Sequence, residues 1–172
     1  MPTSNPRTIL GIDPGLADTG FGVIVERGTT LSALACGSIK TAAGTPAAER
    51  LRRIHHDVTA LIKKYRPNVV AVEQLFFCKN VKTALAVGQA RGVVILAAGQ
   101  RGIPIREFTP LQIKLALSGY GKAGKRQVQQ MVKAVLKLST LPQPDDAADA
   151  LAAAICCAHQ GRYPTKKLIA VS

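Results

Sequence analysis

The chain has 172 residues, 47% of them hydrophobic, which suits one globular domain with a sizeable core and excludes an intrinsically disordered polymer. It carries 23 Lys and Arg against 10 Asp and Glu, a formal net charge of +13. Residues 79–137 hold eleven bases and a single acid, Glu107, so the excess is concentrated; it points to a polyanionic partner, nucleic acid first, rather than to a solubility device.

Residues 8–12 form a short apolar run that reads as a strand buried on both faces, ended by Asp13 and broken by Pro14-Gly15. Gly20 and Gly22 flank Phe21 in a second strand that returns antiparallel, and as glycines they let other backbone come close; residues 31–39 complete a meander. Thr45-Pro46 opens a helix, Thr as N-cap and Pro at the first position, whose apolar face runs through Leu51, Ile54, Val58, Leu61, Ile62 and Tyr65. His55 and His56 are adjacent on it and point apart, so they read as surface rather than as a ligand pair.

Arg66-Pro67-Asn68 stops that helix, and residues 69–72 form another buried strand, again ended by an acid, Glu73. A long helix is expected over residues 80–101 and a fifth strand over 103–108. Thr109-Pro110-Leu111-Gln112 resembles a capping box that opens a short helix. A Gly-rich loop, 118–124, leads into an amphipathic helix over 125–138. After Pro142 and Pro144 comes a last helix, 145–159, with Asp145 as its natural N-cap. Three meander strands followed by βα units give a mixed α/β sheet with helices on both faces. Residues 1–160 read as one domain, and 161–172 as a short, basic, flexible tail.

The acids decide what chemistry the fold carries. Asp13 and Glu73 end buried strands; Asp146 and Asp149, three apart, share one face of the last helix, and Asp149 lies too far in to cap it. Ala150, Ala152, Ala153 and Ala154 make that helix slender enough to lie close on a sheet. Two carboxylates about 4 Å apart repel by about 4 kcal/mol at an effective dielectric near 20, so a convergence of all four needs divalent cations. Oxygen donors without His or Cys favour Mg2+ or Mn2+ over zinc, and two such ions can activate water and stabilise the leaving oxygen of a phosphodiester. Acid cluster and basic segment together indicate a nuclease. Phe76 and Phe77, just past Glu73, suit stacking on unpaired bases, although core is the ordinary place for Phe. Lys79 belongs to the basic segment, and Tyr120, Lys122, Lys125 and Arg126 surround the Gly-rich loop beside a helix start, an arrangement suited to phosphate.

Four stretches carry a resemblance: Gly11-Ile12-Asp13-Pro14-Gly15, Val72-Glu73-Gln74-Leu75-Phe76, Gly88-Gln89-Ala90-Arg91-Gly92, and residues 146–152 with Asp146 and Asp149. They resemble, in order over nearly the whole chain, the RuvC family of bacterial Holliday junction resolvases. The resemblance implies a ribonuclease-H-like five-stranded sheet, order 3-2-1-4-5 with strand 2 antiparallel. It also implies a homodimer that resolves four-way DNA junctions by symmetric, Mg2+-dependent nicks in recombination and repair, working with the RuvA-RuvB branch-migration complex. The family's four acidic positions fall on Asp13, Glu73, Asp146 and Asp149; some members carry His at the third. Its basic residues of the active-site region match Lys114 and Lys125, and its stacking aromatic matches Phe76.

A small-residue stripe, Ala84, Gly88 and Gly92, recurs every four residues on the long helix and offers a close-approach surface for a second copy; the alternative is packing on the chain's own sheet. No apolar run approaches the roughly 18 residues of a membrane span, and residues 1–5 do not read as a secretory signal. Cys36, Cys78, Cys156 and Cys157 form no C-x-x-C pair, so reduced thiols in the bacterial cytosol are expected and a zinc site is not. Two rival readings stay open: a basic DNA-binding module with structural acids, and a nucleotide phosphotransferase of the actin-like fold, which would need a second domain.

Overall fold

The computed structural model describes residues 5–74 and 81–161. In chain order these form β1 (Arg7–Asp13), β2 (Asp18–Arg27), β3 (Thr30–Lys40), α1 (Ala47–Tyr65), β4 (Val69–Glu73), α2 (Val81–Gly99), β5 (Ile105–Phe108), α3 (Pro110–Ser118), α4 (Lys125–Val135) and α5 (Asp145–Gln160). One sheet contains every strand in the order β3-β2-β1-β4-β5, with β1, β2 and β3 antiparallel and β1, β4 and β5 parallel. This is the order and sense expected. Phe76, Phe77, Lys79 and nearly all of the basic tail lie outside the described residues.

Side-chain alternation divides the sheet into two apolar layers. On one face Ile9, Ile24, Val69 and Ala71 pack beneath α3, α4 and α5. On the other Leu10, Ile12, Val23, Val70 and Val72 meet Ile54, Val58 and Ile62 of α1 and Ala90, Val94, Ala97 and Ala98 of α2. Asp13 follows the parity of Ile9, and Glu73 that of Val69 and Ala71, so both acids emerge on the α5 face. Ile12 is in register with Val72, which brings the two strand ends side by side.

α5 is buried almost all round, from Ala147 to Ala158 with Asp149 the one partly exposed residue in that span. It lies directly on glycines. A Cβ at Gly11 would collide with the carbonyl of Ala150, one at Gly20 with the carbonyl of Asp146, and one at Gly22 would sit 2.7 Å from the Leu151 side chain. Gly20 is also the cross-strand partner of Asp13. The glycines read from sequence as allowing backbone to approach therefore seat the acidic end of α5 beside Asp13.

Several boundaries differ from expectation for local reasons. Pro46, not Thr45, occupies the cap position of α1, with no side-chain cap hydrogen bond. Pro144 holds that position for α5, so Asp145 is not an N-cap but a first-turn residue whose side chain is free to bond elsewhere. β5 starts at Ile105, after Pro104, which has no N–H for a ladder but whose carbonyl accepts from the Val70 amide at 2.9 Å. The expected capping box is present: the Gln112 amide donates to Thr109 Oγ1 at 3.2 Å, and the Thr109 amide donates to Gln112 Oε1 at 2.8 Å.

α2, at 19 residues, is by length and composition alone long and apolar enough to cross a membrane, although Lys82 and Arg91 interrupt its apolar sequence. Its apolar character has two sides. Ala90, Val94, Ala97 and Ala98 are buried against the body of the protein, whereas Val81, Leu85 and Leu96 on the opposite side are exposed.

Candidate active site

Three elements converge at one end of the sheet. β1 delivers Asp13, β4 delivers Glu73, and the first turns of α5 deliver Asp146 and Asp149. Carboxylate oxygens of Asp13, Asp146 and Asp149 all lie within 4.8 Å of one another, a spacing that suits coordination of a cation. The turn below Asp13 is braced: Thr19 Oγ1, fully buried, donates to the Gly15 carbonyl at 2.6 Å, and Thr41 Oγ1 donates to the Leu16 carbonyl at 2.5 Å. Glu73 stands beside this trio rather than within it.

The electrostatics mark the cluster as charge-strained. Burial, then Glu73, Asp149 and Asp146, push the Asp13 carboxyl up to about 8. Burial and then Asp149 push Glu73 up to about 7, against the opposing pull of Lys114 and Lys125. Asp149 is raised by burial, with Lys125 pulling it back, and Asp146 is raised by burial and then by Asp18. Four carboxyls that resist ionising together form a site which a divalent cation relieves. The donors are all oxygens, so the set fits Mg2+ or Mn2+.

A basic wall faces the acids. Glu73, Lys114, Lys125, Val128 and Asp149 line a cleft of about 280 Å³ between β4, α3, α4 and α5. Lys125 Nζ lies 3.5 Å from Asp149 Oδ2 and 3.3 Å from Asp145 Oδ2. Lys122, Arg126 and Tyr120 are exposed around the same loop. Two residues passed over in the sequence belong here: Asp18, near enough to Asp146 to raise it, and Gln129, buried, whose Nε2 donates to Asp145 Oδ1 at 2.9 Å. No spacing in the sequence links Gln129 to Asp145; only the packing of α4 on α5 does.

Gly88 and Gly92 do not pack on the sheet as an internal seam: an added Cβ at either meets nothing within 4 Å, while Ala84 is half-buried. Around the helix these glycines fall in line with Val81, Leu85 and Leu96, which the stripe read from sequence did not include.

A mixed sheet in the order 3-2-1-4-5, with carboxylates at the ends of its first and fourth strands and on a closely seated helix, defines a ribonuclease-H-like nuclease. Residues 9–157 match the sequence model of the family described as crossover junction endodeoxyribonuclease RuvC. A relative of that name from Pelotomaculum thermopropionicum is 52% identical over 158 residues, covering 92% of this chain and 96% of its own. One from Heliobacterium modesticaldum is 58% identical over 151 residues, covering 88% and 93%. The structure of Thermus thermophilus RuvC in complex with Holliday junction substrate superposes with a TM-score of 0.86 at 39% identity, covering 91% of this chain and 95% of that one. The chain belongs to the RuvC family of crossover junction endodeoxyribonucleases, hydrolases of DNA phosphodiester bonds.

Proposed function

We propose that residues 1–160 are a single nuclease domain that works as a homodimer and resolves four-way DNA junctions by paired, symmetric nicks. The observation that carries this reading is the convergence of Asp13, Asp146 and Asp149 within 4.8 Å beside Glu73, under a wall of lysines, in a chain of this family. These four acids hold Mg2+, two ions per site, with Mn2+ as a substitute. Bound there, the cations supply Lewis-acid charge and an activated water.

The chain's own residues do the remainder. The braced β1–β2 turn and the glycine seat of α5 fix the carboxylates before substrate arrives, so little is lost in ordering them. Lys114 and Lys125 face the acids from across the cleft and meet the charge of the scissile phosphate. Tyr120, Lys122 and Arg126 contact the backbone outside it, and Phe76, Phe77 and Lys79 extend that surface by the family resemblance. Loss of water access as the DNA covers the cleft strengthens each of these contacts.

The dimer reading rests on α2. Val81, Leu85, Gly88, Gly92 and Leu96 make one exposed apolar stripe with Ala84 at its edge, and the glycines let a second helix approach closely. Two sites about a dyad match the two equivalent strands of a junction. Action on chromosomal junctions in the bacterial cytosol, with RuvA-RuvB, accords with the family. The rival basic module predicts that Asp13→Asn changes stability and leaves no catalysis to lose, and the actin-like rival needs a second domain. The test is nicking of an immobile four-way junction and of linear duplex with Mg2+ by wild type and by Asp13→Asn, Glu73→Gln, Asp146→Asn and Asp149→Asn. Junction-selective nicking lost in each variant, with junction affinity kept, supports the reading; wild-type levels of nicking by Asp13→Asn would overturn it.

A further inference from the structure

Asp145 belongs to neither the carboxylate trio nor the helix cap, yet both of its oxygens are engaged. Oδ1 accepts from Gln129 Nε2 at 2.9 Å, and Oδ2 lies 3.3 Å from Lys125 Nζ. Lys125 and Gln129 are one turn apart on α4, so a single face of that helix grips a single carboxylate at the start of α5. Gln129 is buried, and a buried amide is an ordered, directional partner. Lys125 is half-exposed, and its other neighbour is Asp149, at 3.5 Å.

We infer that Asp145 is a positioning residue that keeps the Lys125 ammonium at the catalytic cleft when the acid cluster is loaded with cations. The inference rests on the nuclease reading above. The physical reason is competition for Asp149. Before loading, Lys125 shares two carboxylates; once Asp149 turns its charge to a divalent cation, that cation repels the ammonium. Asp145 stands outside the trio, so its carboxylate stays with Lys125. Gln129 fixes the direction of that carboxylate, so the ammonium is held toward the cleft rather than released to solvent. Without Asp145, Asp149 is the one carboxylate among the described residues left within 4 Å of the ammonium of this long, flexible side chain, and loading removes that hold.

The role predicts a loss in the chemical step and not in binding. Asp145→Asn keeps an oxygen for Gln129 and removes the charge for Lys125. It should lower the single-turnover nicking rate with Mg2+ by about tenfold while junction affinity in EDTA stays within about twofold, the pattern of an interaction made in the transition state. Asp145→Glu, which retains a carboxylate, should recover most of the rate. Gln129→Leu should show a smaller loss of the same kind. The decisive comparison is a double-mutant cycle: placed on Lys125→Ala, Asp145→Asn should change the remaining rate by less than about twofold, because both act through one ammonium. An undiminished rate in Asp145→Asn, or the same fold loss with and without Lys125, would overturn the role. A wild-type protein that leaves the junction uncut would instead defeat the nuclease reading itself, and this role with it.

Discussion

Removing one charge from the acid cluster should stabilise the cation-free protein, and Asp13→Asn is the substitution that shows it best. The Asp13 carboxyl is pushed from 3.8 up to about 8 in the folded chain, first by burial and then by Glu73, Asp149 and Asp146. Its folded pKa therefore lies above its unfolded one. Between those two values the native state holds a proton that the unfolded state has lost, so stability falls as pH rises through that window and levels off above it. Glu73, pushed up to about 7, adds a loss of the same sign. At about 1.36 kcal/mol per pKa unit, a gap of about four units sets a ceiling near 5–6 kcal/mol for Asp13 alone. Asn does not titrate but leaves a buried amide that costs about 1–3 kcal/mol, so a net gain of about 2–5 kcal/mol is expected at pH 8. At about 2–4 °C per kcal/mol for a chain of this size, Tm should rise by roughly 4–20 °C. The assay is thermal unfolding followed by circular dichroism in EDTA and in Mg2+. Wild type should be less stable at pH 8 than near pH 5 in EDTA and should recover with Mg2+ at pH 8, whereas Asp13→Asn should start higher and respond less. A variant no more stable than wild type at pH 8 in EDTA would refute the account of the cluster as charge-strained.

Gly20→Ala drives a methyl group into the carbonyl of Asp146, so it should displace the acidic end of α5, lower Tm, and cut the Mg2+-dependent rate far more than junction affinity. Leu85→Asp places a charge in the exposed stripe of α2, and it should yield a folded monomer by light scattering that nicks a cruciform plasmid but does not linearise it. Junction affinity should fall by about three to five decades between 50 and 200 mM salt if six to ten phosphates are contacted, as filter binding or fluorescence anisotropy would measure.

The sheet and most of its site were legible because both rest on local pattern. Asp13 and Glu73 each end an apolar run, and strand parity alone sends them to the same face. Gly20 and Gly22 declared a close approach before its partner, α5, was known. In the sequence Asp145 reads as a cap because Pro-Asp at a helix start resembles one, whereas Pro144 holds that position. Its true partners come from α4, sixteen residues earlier for Gln129, and meet it only through tertiary packing. Leu85 and Leu96 escaped the stripe on α2 for a different reason. That helix is apolar on nearly every side, so its sequence pattern did not tell the face on the sheet from the face left open.

The proposed mechanism has one carboxylate cluster per subunit, loaded with divalent cation, cutting junction DNA in pairs. Its most direct measurement places an immobile four-way junction, end-labelled on each strand in turn, with wild-type protein and Mg2+, beside the linear duplex of the same sequence. The account predicts nicks at symmetry-related positions in two opposing strands, ligatable products, an uncut duplex, and loss of all nicking in EDTA and in Asp13→Asn. Equal cutting of junction and duplex, or junction nicking that survives both EDTA and Asp13→Asn, would contradict it.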